Sequence, residues 1–229
     1  MSVKKSFVEY LFNNLNDGEF LGFWRSAPIS YLIKLVQKLD KSNNFQLNAV
    51  NHIGVVYNVK RSTEYGNEIL SFMLSHQTGR HGGKFEEWQI IKAKINTNKT
   101  KYFLLTKTKY KKLYWLELYN TFNETQKVKG VTDAMLQKKE KYGHQTFIFS
   151  IPQISAFIGK LFNPKLFNHN KISRVCSKHV LINHKIAGRK GLDKIIENNP
   201  FPTPEFCFTI QKDDLRGKVH EIVDFEEIL

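Results

Sequence analysis

The chain is short of cysteine, of acidic residues and of long apolar runs, and each shortage removes a class of protein. Two cysteines in 229 residues, Cys176 and Cys207, exclude a disulfide scaffold and suit a reducing interior. The expected setting is cytoplasmic or virion-associated. No uninterrupted apolar stretch approaches the roughly 20 residues of a membrane-spanning helix, so no transmembrane segment is expected. The first sixteen residues place Val3, Phe7, Leu11, Phe12 and Leu15 at helical spacing among polar ones, which reads as an amphipathic helix and not a signal peptide. No phosphate-binding loop is present. A zinc site also lacks its second pair of ligands: Cys176, His179 and His184 share one expected helix, but only the first two share a face. No metal or cofactor is expected.

Acid is outnumbered, with 21 Asp and Glu against 35 Lys and Arg, for a formal charge of +14. Such a field favours contact with nucleic acid, another anionic polymer or a membrane surface. The densest basic cluster, Lys107, Lys109, Lys111 and Lys112, is interleaved with Tyr110, Tyr114 and Trp115. It can be a binding face or a solvated one.

At 41% hydrophobic, the chain buries a full core and reads as one domain over residues 1–229. Residues 1–18 form the N-terminal helix and turn, and 107–145 a helical insertion with a basic surface. Asn16-Asp17-Gly18 is a turn and Glu19 to Trp24 a short strand. Ile29, Leu32, Ile33, Val36 and Leu39 line a helix opened by Ser26 and Pro28. Strands are expected at Val50 to Tyr57, Glu68 to Leu74, Trp88 to Ile95 and Lys101 to Thr106. Ser75 to Gly83 reads as a flexible surface loop. Helical periodicity follows over Lys111 to Phe122, Val131 to Tyr142, and Ile154 to Leu161. Another helix begins at Cys176, and a short one covers Leu192 to Glu197. Pro200, Pro202 and Pro204 impose an extended path, and Phe206 to Ile210 and Val219 to Phe225 read as a closing strand pair. Strands and helices segregate, so the expected class is α+β, an antiparallel sheet packed against helices.

Cys176 stands where a basic approach gives way to a helix, and a sulfur at a helix N-terminus is stabilised as thiolate by free N–H groups and the helix dipole. The candidate base is His52, in the apolar strand Val50-Asn51-His52-Ile53-Gly54-Val55-Val56-Tyr57. Alternation gives Val50, His52, Gly54 and Val56 one face and Ile53, Val55 and Tyr57 the other. Gly54 is read as leaving space beside the imidazole. A cysteine and its histidine are commonly distant in sequence and adjacent in the fold. Cys207, between Phe206 and Phe208, reads as a core thiol.

The order Gly22-Phe23, Ile29 to Lys34, Asn51-His52-Ile53-Gly54-Val55-Val56, Val175-Cys176-Ser177, Pro202-Thr203-Pro204 and Lys212-Asp213-Asp214-Leu215 resembles the circularly permuted NlpC-type papain-like hydrolases. These are the YiiX-like amidases and peptidases, with the lecithin retinol acyltransferases as relatives. The resemblance implies a permuted papain-like fold, His52 as base and Cys176 as nucleophile. Its third polar residue, commonly a glutamate, falls on Ser71, with His76 or His81 as substitutes if their loop folds back. Lys178 stands where the family often has glutamate after Cys-Ser. The implied activity is a cysteine hydrolase, an amidase, peptidase or acyltransferase acting on a peptide, cell-wall peptide or lipid acyl group. The alternative is a catalytically degenerate papain-like module with a structural or nucleic-acid-binding role, for example in a viral particle.

Overall fold

In the computed structural model the described residues are 7–24, 50–78, 82–96, 99–110, 112–137, 176–198, 202–210, 213–222 and 225. The expected helices over Ile29 to Leu39 and Ile154 to Leu161 lie outside them. Seven antiparallel strands form one sheet in the order β5-β4-β3-β2-β1-β6-β7. They are β1 (Phe20–Phe23), β2 (His52–Glu64), β3 (Asn67–Thr78), β4 (Gly82–Asn96), β5 (Lys99–Leu105), β6 (Leu113–Leu118) and β7 (Gly217–Ile222). Among the described residues the helices α1 (Val8–Asn14), α2 (Glu124–Leu136), α3 (Cys176–Ile186), α4 (Leu192–Asn198) and α5 (Pro204–Thr209) join this sheet in an α+β fold. No helix of the described residues is long and apolar enough to cross a membrane.

The strand pleat divides the core in two. Phe20, Ile53, Val55, Tyr57, Tyr114 and Leu116 face α3, where Val180 and Leu181 meet them together with Cys207 and Phe208 of α5. Leu21, Phe23, Val56, Leu70, Phe72, Leu74, Trp88, Ile90 and Trp115 point the other way and pack on Val8, Leu11, Phe12 and Leu15 around α1. Gly22 lets α5 sit close on the sheet, since a Cβ there would come within 2.5 Å of the Phe208 ring. Arg61 ties α1 to β2 by donating to the carbonyls of Phe12, Asn13 and Leu15, the groups a helix C-terminus leaves unbonded.

Three readings from periodicity are corrected. The helical insertion at 107–145 holds β6 in its middle, paired to β1 and β7. Leu113 and Trp115 pack on the α1 side while Tyr114, Leu116 and Leu118 pack on the α3 side, a two-residue period in an aromatic-rich segment. The helix near 131–142 starts earlier, at Glu124, where Asn123 and Gln126 form a reciprocal capping box. Phe206 to Ile210 is the body of α5, with Pro204 at its first turn and Thr203 Oγ1 accepting from Phe206 N–H.

The α1 side of the core contains a fully buried acid. Glu19 is fully buried, and its Oε2 accepts from Asn16 N–H at 3.0 Å and Trp115 Nε1–H at 2.8 Å. Burial raises its pKa to about 8 from 4.5, outweighing those two hydrogen bonds. The unfolded chain therefore ionises Glu19 between pH 4.5 and 8 while the folded chain keeps it protonated, so this residue's contribution falls as pH rises through that window. Urea titrations from pH 5 to 8 are expected to show that decline in wild type and a flatter profile in Glu19→Gln.

Candidate functional site

The residues of α3 that face the sheet are unusually polar. Cys176, His179 and Asn183, spaced three and four apart, are all buried. His179 Nε2 is 2.9 Å from Ser75 Oγ on β3. Asn183 Oδ1 accepts from Tyr57 Oη, and its Nδ2 donates to Gly130 O at 2.9 Å and Asp133 Oδ2 at 3.0 Å. These bonds lay α3 across β2, β3 and α2, with Cys176 on the side of β2 carrying Ile53, Val55 and Tyr57. Ser177 Oγ donates to Pro202 O, and Cys207 Sγ lies 3.6 Å from Ser177 O. The Cys207 thiol is pushed well up by burial, and the neighbouring Cys176 adds to the shift. The two thiols share one apolar cluster.

His52 stands on the other face. Its ring lies 4.9 Å from that of Phe23, its directly paired neighbour on β1, and its Nε2 is 2.9 Å from His76 Nδ1. Since Val55 pairs with Ser75 and Gly54 with His76, the residue that bonds the cysteine helix and the residue that bonds His52 are consecutive on β3 and project oppositely. The expected dyad is thereby divided by the sheet, with Cys176 on the α3 face and His52 on the α1 face. The space predicted beside Gly54 is occupied too: a Cβ there would fall 2.8 Å from Ser75 O and 2.9 Å from Leu74.

Ser71 does not support His52. It pairs with Lys60 and Gln89, in the part of β3 beyond the bulge at Tyr57 to Lys60. Its expected place is taken by His76, which arrives by continuation of β3 and not by a folded loop. Leu70, Phe72, Leu74 and His76 are all buried on one side, and the sequence signal was that unbroken alternation past Leu74. His81 lies outside the described residues.

Behind His76 stands a carboxylate that sequence reasoning missed. His76 Nε2 is 3.7 Å from Glu86 Oε2, Glu86 accepts from Thr106 Oγ1 at 3.0 Å and Thr108 Oγ1 at 2.9 Å, and Lys84 Nζ pairs with it. Burial opposes the charge, but His76, Lys84 and Thr108 outweigh it and hold the carboxyl well below the usual range. A proton on His76 Nε2, facing Glu86, leaves Nδ1 to accept from His52 Nε2–H. The basic nitrogen of His52 is then Nδ1. The chain His52–His76–Glu86 orients an imidazole and supports positive charge on it, which a serine cannot do.

The remaining candidates separate. His184 is fully buried between the rings of Phe20 and Phe122, and burial followed by Arg189 lowers its pKa well below the ordinary value. Among the described residues no His, Cys, Asp or Glu group fits a metal ion. Of the basic cluster, Lys107 and Lys109 are exposed, Lys112 pairs with Glu221 at 3.4 Å, and Tyr114 and Trp115 are core residues. Protein-family models, when scanned, give no match to this chain, and no curated protein matches its sequence.

Glu86→Gln is expected to destabilise the protein by about 1.5–3 kcal/mol at pH 7, the scale of a hydrogen bond to a charged group. A depressed carboxyl contributes above its unfolded pKa and loses that contribution on acidification, so the gap from wild type should close as pH falls below 4.5. Paired denaturant titrations at pH 7 and pH 3.5 read it directly.

Proposed function

We propose that the chain is a papain-like module that no longer works as a thiol hydrolase and instead binds a polyanionic partner. The observation that carries this reading is the division of Cys176 from His52 by the pleat of β2 and β3. Nucleophilic thiol catalysis needs sulfur and imidazole within hydrogen-bond reach. The Cys176 thiol shares one cluster with Cys207 and is 2% exposed, which closes it to a substrate in solution. The net charge of +14 supplies the attraction to a polyanion.

Thiol hydrolysis of a peptide, cell-wall peptide or lipid acyl bond is the second reading, and the His52–His76–Glu86 chain favours it. That chain gives His52 the polar support a general base requires. Catalysis by it would need the Cys176 sulfur on the α1 face, where it would attack the acyl carbon while His52 took its proton and returned it to the leaving group.

Two measurements on the full chain decide between them. Under the binding reading, iodoacetamide at neutral pH labels Cys176 and Cys207 slowly until urea unfolds the protein, and affinity for duplex DNA falls steeply with salt. Rapid labelling of native protein at Cys176, lost in His52→Ala, together with a flat salt response, would overturn the binding reading in favour of the hydrolase.

A further inference from the structure

At one end of the sheet two hairpins run past the core. β2 is buried through Tyr57 and exposed from Lys60 to Glu64, and the last residues of β4, Lys94 to Asn96, are exposed. Because Glu68 pairs with Lys92, the β2–β3 turn and the end of β4 lie side by side. The turn is Tyr65-Gly66, closed by the paired Glu64 and Asn67, with φ of +50° and +77°. A two-residue hairpin turn with both φ positive prefers Asn, Asp or Gly at its first position. A tyrosine there is strained, and its side chain is 101% exposed, so it returns no packing to the fold. Ile95, on the adjoining hairpin, is 53% exposed.

Six basic residues stand on the strands that lead to these two: Lys60, Arg61, Lys92, Lys94, Lys99 and Lys101, against Glu64 and Glu68. Arg61 is held by α1 and Lys92 by Glu68 at 2.9 Å. Lys60, Lys94 and Lys99 carry no ion pair among the described residues. An aromatic and an aliphatic tip within a collar of lysines matches the layering of an anionic bilayer surface, where rings settle at headgroup level and lysines meet lipid phosphates and carboxylates. Nucleic acid would engage the lysines but leave Ile95 in water.

We propose that this end of the sheet docks the protein on an anionic lipid bilayer, with Tyr65 and Ile95 entering the headgroup region and Lys60, Lys94 and Lys99 on the lipid charges. The proposal rests on the polyanion-binding reading and names its partner.

Sedimentation of the full chain with vesicles of phosphatidylcholine, with and without phosphatidylserine, tests it. Binding is expected only to the serine-containing vesicles. Ile95→Ser should weaken it about tenfold by removing a buried aliphatic side chain, and Lys94→Gln or Lys99→Gln about fivefold each. Tyr65→Asn separates recognition from folding: asparagine suits the turn, so thermal stability should hold or rise while vesicle binding falls. Vesicle binding unchanged in both Tyr65→Asn and Ile95→Ser would overturn the proposal, as would binding to duplex DNA without binding to vesicles, which leaves the polyanion reading standing. Binding to neither would remove both.

Discussion

The two-residue period of β2 and β3 is the constraint on which the rest of the molecule depends. One face of these strands receives α3 and the other receives α1, and their buried apolar side chains belong to one core or the other. A register shift of a single residue would exchange the faces and bring His52 and His76 against Cys176 while burying Ser75 under α1. Two contacts resist that shift together: Ser75 with His179 and Tyr57 with Asn183. Each leaves a buried polar group unsatisfied when broken, so register is fixed by polar contacts as well as by apolar area.

The interior of α3 shows how a helix with a weakly apolar face can still be buried. Its sheet-facing line is Cys176, His179 and Asn183, flanked by Val180 and Leu181. Burying an amide or imidazole is costly unless it is bonded, and here Ser75, Tyr57, Gly130 and Asp133 provide partners on β2, β3 and α2. The polar line thus orients α3 across three elements, and the position of Cys176 follows from it.

Much of this was legible in the residues. The Asn16-Asp17-Gly18 turn, with Gly18 at φ +87°, the β1 strand after it and the helix opening at Cys176 follow from local chemistry. The face shared by His52, Gly54 and Val56 follows from alternation, whereas Val50, expected on that face, precedes β2 and packs with Ile53 and Val55 in the cluster facing α3. What alternation leaves open is which face a distant helix will cover, because that is decided by partners more than a hundred residues away. His76 reads only as a loop substitute and Glu86 is not singled out, because Ser75 to Gly83, with its glycines and histidines, has loop composition, whereas the pairing of His76 with Lys84 and Gln77 with Gly83 makes it sheet. β6 was misread because Leu113, Trp115, Leu116 and Leu118 satisfy helical spacing as readily as strand spacing, and cross-strand partners on β1 and β7 settle the matter.

The basic residues at the hairpin end have two physical explanations, and they differ in what they cover. β5 is an edge strand, and lysines on an edge discourage pairing with another chain, which accounts for Lys99 and Lys101 with no ligand. Edge protection does not require an aromatic ring at a left-handed turn position, where strain is added and no contact is gained. Nor does it account for Ile95 standing in water on the adjoining hairpin. The lysines alone are compatible with a solvated edge. The conjunction of strained tyrosine, exposed isoleucine and lysines at one end of the sheet points outward, to a surface that is apolar just beneath a layer of negative charge.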